Sequence, residues 1–159
     1  MSVRQINMAS DEKKYLEALL KPFLKNHGFK KTSTTWRKPV DNFIQIISIQ
    51  GSPYQKTFQI YIGVYICDLG DKKNPSEADS NIRITLNTYA KETEISKLLD
   101  FEKWEIDELP REEILEILEQ YGLNWLNKCS TFDGAKAEYT LPSRIMAGWQ
   151  RKQLDEYFA

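Results

Sequence analysis

The sequence predicts an α+β domain: a four-stranded antiparallel meander, preceded by one helix and followed by C-terminal helices. Three observations carry this. The chain's 159 residues suit one domain spanning 1–159. Strand-like segments cluster between residues 29 and 89, with helical patterns on either side. The connections between consecutive strands are short, which favours a meander. Hydrophobic residues at 41% and charged residues at 28% are ordinary globular values.

The elements follow in order. Ser10 is placed to cap a helix, with Asp11 and Glu12 at its positive end. Tyr15, Leu16, Leu19, Leu20, Phe23 and Leu24 fall on one stripe. Pro22 within it predicts a kink or break, and Gly28 ends the helix. Phe29 to Lys38 reads as the first strand, Pro39–Asn42 as a turn, and Phe43 to Gln50 as the second strand. After Gly51–Pro53 comes the clearest signal: Phe58, Ile60, Ile62, Val64 and Ile66 alternate with Gln59, Tyr61, Gly63 and Tyr65. Asp68 to Ser80 reads as a solvated loop, and Asn81 to Tyr89 as the fourth strand. Beyond Pro110, an apolar stripe of Ile114, Leu115, Leu118 and Tyr121 ends at Gly122. A short helix then covers Leu123 to Cys129, and a last helix about Pro142 to Phe158.

Several pieces of this pattern resemble, in their order, one family, the bacterial domain of unknown function 4304. They are Asn26-His-Gly-Phe-Lys-Lys31, Ile49-Gln-Gly-Ser52, Phe58 to Tyr65, Asn81-Ile-Arg83, Trp104 and Tyr121-Gly-Leu-Asn-Trp-Leu126. The resemblance covers roughly residues 14–130, with the C-terminal helix appended. It implies a small bacterial protein and supplies no mechanism.

Chemistry-bearing constellations are sparse. His27 is the one histidine, at a predicted helix C-terminus where an imidazole meets unpaired carbonyls. Cys67 and Cys129 have neither metal-ligand spacing nor a C-x-x-C arrangement. Their apolar neighbours favour buried thiols, while a disulfide stays compatible with the spacing. No nucleotide-binding or nucleophile-elbow motif occurs. We therefore expect no metal, no cofactor and no assignable catalytic residue, with the balance leaning away from an enzyme. The N-terminus lacks an apolar leader, and no run approaches the ~20 residues of a membrane span, so a cytoplasmic location away from membranes is expected.

Charge is uneven. Residues 1–40 hold nine Lys/Arg against three acids, and residues 67–119 hold fifteen acids against seven bases. Asp107, Glu108, Glu112 and Glu116 mark the acidic stretch. One reading is a protein-binding function, in an immunity-type or inhibitory form that neutralises a basic macromolecular partner. The competing explanation is that the two charged regions attract each other.

A second reading centres on the non-aliphatic sheet face. Tyr61, Tyr65, Arg83 and Asn87 form a polar and aromatic surface, which Gln50 reaches if its strand register permits, with Gly63 leaving a gap between the tyrosines. There Arg83 would hold a small anionic metabolite in an enzyme pocket. The alternatives are that Arg83 pairs with a nearby acid and that Trp149 and Phe158 cover the face. A weaker reading, single-stranded nucleic acid, rests on Lys25, Lys30, Lys31, Arg37 and Lys38 around Trp36. Oligomeric state is not legible.

Overall fold

The computed structural model describes residues 10–103, 111–141 and 148–159. Helix α1, Asp11–Asn26, starts where Ser10 accepts from the Lys13 N–H at 3.1 Å. It ends where Gly28 takes a φ of +90°, a left-handed conformation that suits glycine. Of the kink or break expected at Pro22, the break does not occur, and the helix runs on through it. Pro22 and Ala18 are both exposed, so the carbonyl that loses its N–H partner faces water.

Five strands follow, not four: β1 Lys30–Thr32, β2 Thr35–Val40, β3 Phe43–Gly51, β4 Phe58–Ile66 and β5 Ile82–Thr85. They form one antiparallel meander in chain order. The predicted first strand divides into β1 and β2 at Ser33 and Thr34, with Ser33 at φ 58°. The predicted Pro39–Asn42 turn narrows to Asp41 and Asn42, because Pro39 and Val40 pair with β3. The predicted fourth strand stops at Thr85, and Leu86–Tyr89 is a helical turn, α2.

Period-two alternation gives the sheet two faces. On the first, Trp36, Ile47, Ile62 and Ile84 stand opposite one another across four strands and are buried. They join Leu16, Leu20 and Leu24 of α1 in the main core. Ile95 and Leu98 of α3, Ile95–Leu98, join them, as does Ile114 of α4, Glu113–Ile117. A π-helical stretch, Leu118–Leu123, passes through buried Gly122, where the sequence predicts an end, into α5, Asn124–Lys128. Helices α6, Phe132–Tyr139, and α7, Gly148–Tyr157, follow. Leu154 and Phe158 also enter the main core, so Phe158 does not cover the second face. The Trp149 side chain lies outside the described ones. Burying each such large apolar side chain contributes ~1.5–3 kcal/mol as an upper figure, so this face fixes the fold.

Gln45 is the polar exception on the first face. Its amide donates to Asn127 Oδ1 at 3.0 Å and to Ser130 Oγ at 2.9 Å, tying β3 to the chain around α5. Among the described residues, no helix is long and apolar enough to cross a membrane.

Candidate functional site

The second face of the sheet holds most of the sequence-derived candidates. Cross-strand register places Thr35, Ser48, Tyr61 and Thr85 in one row, and Arg37, Ile46, Gly63 and Arg83 in the next. Gln50 pairs with Gln59, and Ile44 with Tyr65. Tyr65, Ile44 and Ile46 make a small second apolar cluster with half-buried Cys67 against it.

The segment after β4 is mostly exposed, as its composition predicts, but Pro75, Glu77 and Ser80 are buried. It folds back over this face. The Cys67 N–H donates to the Asn42 carbonyl at 2.8 Å, and the Tyr65 hydroxyl accepts from the Lys72 N–H at 3.1 Å. Pro75 is buried, and its carbonyl accepts from Arg37 Nε at 2.6 Å. Ser76 and Asp79 close a capping box, the Asp79 carboxylate accepting from the Ser76 N–H at 2.8 Å. Lys72 Nζ sits 2.7 Å from the same carboxylate. That hydrogen bond, with those from Ser76, holds the Asp79 carboxyl below its ordinary range. Burial lowers the Arg37 guanidinium, and nearby Asp79 works against it.

Glu77 is the centre of this segment. It is only 7% exposed, and its two carboxylate oxygens meet different strands. Arg83 Nη1 of β5 donates to Oε1 at 2.9 Å, and Gln50 Nε2 of β3 donates to Oε2 at 3.1 Å. Arg83 is thus paired with an acid of its own chain, the alternative the sequence left open. Ser80 lies over Gly63: a Cβ there would fall 2.4 Å from Ser80 Oγ. The mid-strand glycine marks a close approach, as expected, and the approaching group is Ser80.

The part of this face nearest the β3–β4 hairpin stays open. A cleft of about 230 Å³ is lined by Gln50, Gly51, Ser52, Pro53, Thr57, Gln59 and Tyr61. Tyr61 is half-buried and Gln50 and Gln59 are exposed, whereas Tyr65 is buried at 6% exposure. The candidates that line the cleft are therefore Gln50 and Tyr61, not Tyr65. Asn87 leaves the set for a different reason. Because β5 ends at Thr85, its amide pairs with the β4 backbone instead. Oδ1 accepts from the Ile60 N–H at 3.2 Å, and Nδ2 donates to the Phe58 carbonyl at 3.1 Å. Its side chain continues the ladder that the strand abandons.

The acidic candidates lie elsewhere. Asp107 and Glu108 fall outside the described residues, as does Trp104. Glu112 and Glu116 are exposed, opposite Ile114 and Leu118, which face the main core. Glu119 is 3.9 Å from His27 Nε2, one link between the basic and acidic stretches. Trp36 is 1% exposed and offers no ring for base stacking. Both cysteines are thiols, Cys129 buried as expected and Cys67 only half-buried. Among the described residues, no three His, Cys, Asp or Glu side chains are grouped to hold a metal ion.

Sequence reasoning missed Glu77 and Ser80. The Ser76-x-x-Asp79 box was a legible signal of local order; the pairing of Glu77 with Arg83 had no local signal. The family model described as Domain of unknown function (DUF4304) matches residues 20–128, a span that contains the cleft, Glu77 and Arg83. No curated protein and no solved structure matches the chain.

Proposed function

We propose that this chain, which belongs to the DUF4304 family, is a non-enzymatic binding protein. It recognises another macromolecule through the open end of its second sheet face. The observation carrying this reading is the hairpin cleft, whose walls are amides, hydroxyls, a backbone turn and the Tyr61 ring. Such walls supply hydrogen bonds and flat apolar area, the usual materials of recognition. The same hairpin carries Tyr54 at 92% exposure, an aromatic placed where a partner can bury it.

Tyr61→Ala is expected to lower stability by less than about 1.5 kcal/mol, against the 3–5 kcal/mol of fully buried aromatics. The same change is expected to weaken partner binding tenfold or more. Urea denaturation measures the first. For the second, a photocrosslinking residue at Gln59 should capture a partner in cells, and the product should vanish in Tyr61→Ala. A loss of several kcal/mol would place Tyr61 in the core and remove the cleft as the contact site.

A second reading, the immunity-type protein acting on a basic partner, is favoured by Glu112, Glu113 and Glu116. Among the described residues these exposed carboxylates pair with no cationic side chain. Here a crosslinker at Glu116, not at Gln59, should capture the partner. Raising salt from 0.02 to about 0.5 M, which shortens the screening length severalfold, should weaken binding at least tenfold. Salt-independent affinity would eliminate this reading.

A further inference from the structure

Arg83 and Gln50 stand on strands separated by β4, yet they converge on the two oxygens of one carboxylate, at 2.9 and 3.1 Å. Two donors on two oxygens is the arrangement that reads a planar carboxylate. The Arg83 side chain remains 49% exposed while that of Glu77 is 9% exposed, so the cation is reachable from solvent. Gln50 also lines the open cleft, so one side chain serves both the cleft and the carboxylate contact.

The segment that supplies Glu77 is weakly anchored. Gly70 to Ser80 contains no large apolar side chain. Its hold is polar: the Arg37–Pro75, Tyr65–Lys72 and Glu77 hydrogen bonds. At its end Ser80 is 2% exposed, and among the described residues neither Ser80 Oγ nor buried Arg37 Nη1 has a hydrogen-bond partner. Buried polar atoms without partners weaken the closed arrangement, and segments with few apolar contacts open at low free energy.

We infer that Arg83 and Gln50 form a carboxylate-binding subsite that the chain's own Glu77 fills, and that residues 70–80 are a lid an external carboxylate displaces. The inference rests on the reading of the second face as the contact surface. Glu77, being tethered, competes at an effective concentration of order mM, so it raises the concentration at which an external carboxylate binds.

The test is NMR titration of the Arg83 guanidinium and the 70–80 amides with acetate, a capped Gly-Glu-Gly peptide and inorganic phosphate. Glu77→Ala should show saturable acetate binding at tenfold or more lower concentration than wild type, abolished by adding Arg83→Ala. Wild type should saturate at higher concentration, with the lid amides shifting together. Should Glu77→Ala fail to fold, Glu77→Gln retains the side-chain shape, and the same comparison applies. A peptide response at tenfold lower concentration than acetate puts the carboxylate on a polypeptide; equal responses put it on a small ligand, and both sustain the subsite. An unresponsive wild type, or a response surviving Arg83→Ala, overturns the proposal, and phosphate binding as tight as acetate overturns the planar-carboxylate class. If acetate saturates Arg83 while the Gln59 crosslink is absent, the contact-surface reading falls and the subsite stands. The reverse result overturns the subsite alone.

Discussion

Replacing Trp36 by alanine is expected to destabilise the domain by about 3–5 kcal/mol, the range for large buried aromatics. The indole is 1% exposed and sits at the β2 end of the row Trp36, Ile47, Ile62 and Ile84. Nothing smaller fills that space, because its neighbours are held by the sheet register and cannot collapse inward. The Lys31 ammonium lies 5.4 Å from the ring, so truncation also removes a cation–π contact. The loss should appear as a lower urea midpoint with an unchanged slope, since the surface exposed on unfolding stays nearly the same. The outcome bears on function as well as stability. A basic segment around an aromatic reads as a nucleic-acid platform only if the ring faces outward. A loss under about 1 kcal/mol, in the range of surface substitutions, would mean that the ring is outside the core and would revive that reading.

What was legible follows from where local pattern decides the outcome. The alternation of Phe58, Ile60, Ile62, Val64 and Ile66 is met by a strand burying all five on one face. That same alternation puts Tyr61, Tyr65 and, through register, Gln50 and Arg83 on the opposite face. The split between β1 and β2 was hidden because Ser33 and Thr34 carry no Gly or Asn signal, although Ser33 adopts a positive φ. The stop of β5 was hidden because the Asn87 amide substitutes for backbone pairing, a tertiary event with no local pattern. The lid was hidden for the opposite reason. A segment without large apolar residues reads as solvated loop, and contacts made with distant strands, by Arg37, Gln50, Tyr65 and Arg83, bring it down.

Gly63→Ala is expected to be destabilising by about 1–3 kcal/mol, the range for overpacking a filled site. In most strands the same change would stabilise, because glycine is a poor strand residue. Here the added Cβ would lie 2.4 Å from Ser80 Oγ, 2.7 Å from Ser80 Cβ and 3.2 Å from the Ile82 carbonyl. A serine Cβ has no rotamer that moves it away, so the backbone of the lid must lift or β4 must shift. β4 is held on both sides by β3 and β5, whereas the lid is held by side-chain hydrogen bonds, so the lid yields. Adding Ser80→Gly removes the two closest atoms and leaves the 3.2 Å approach. The double variant should therefore recover much of the loss, with a coupling energy of about 1–2 kcal/mol in a double-mutant cycle. Amide exchange separates the lid from the sheet. In Gly63→Ala the protection of residues 76–80 should fall while that of β3 and β4 stays high. A neutral or stabilising Gly63→Ala, with lid protection intact, would show that Ser80 does not rest on the sheet at this point, and the lid would lose its anchor over the second face.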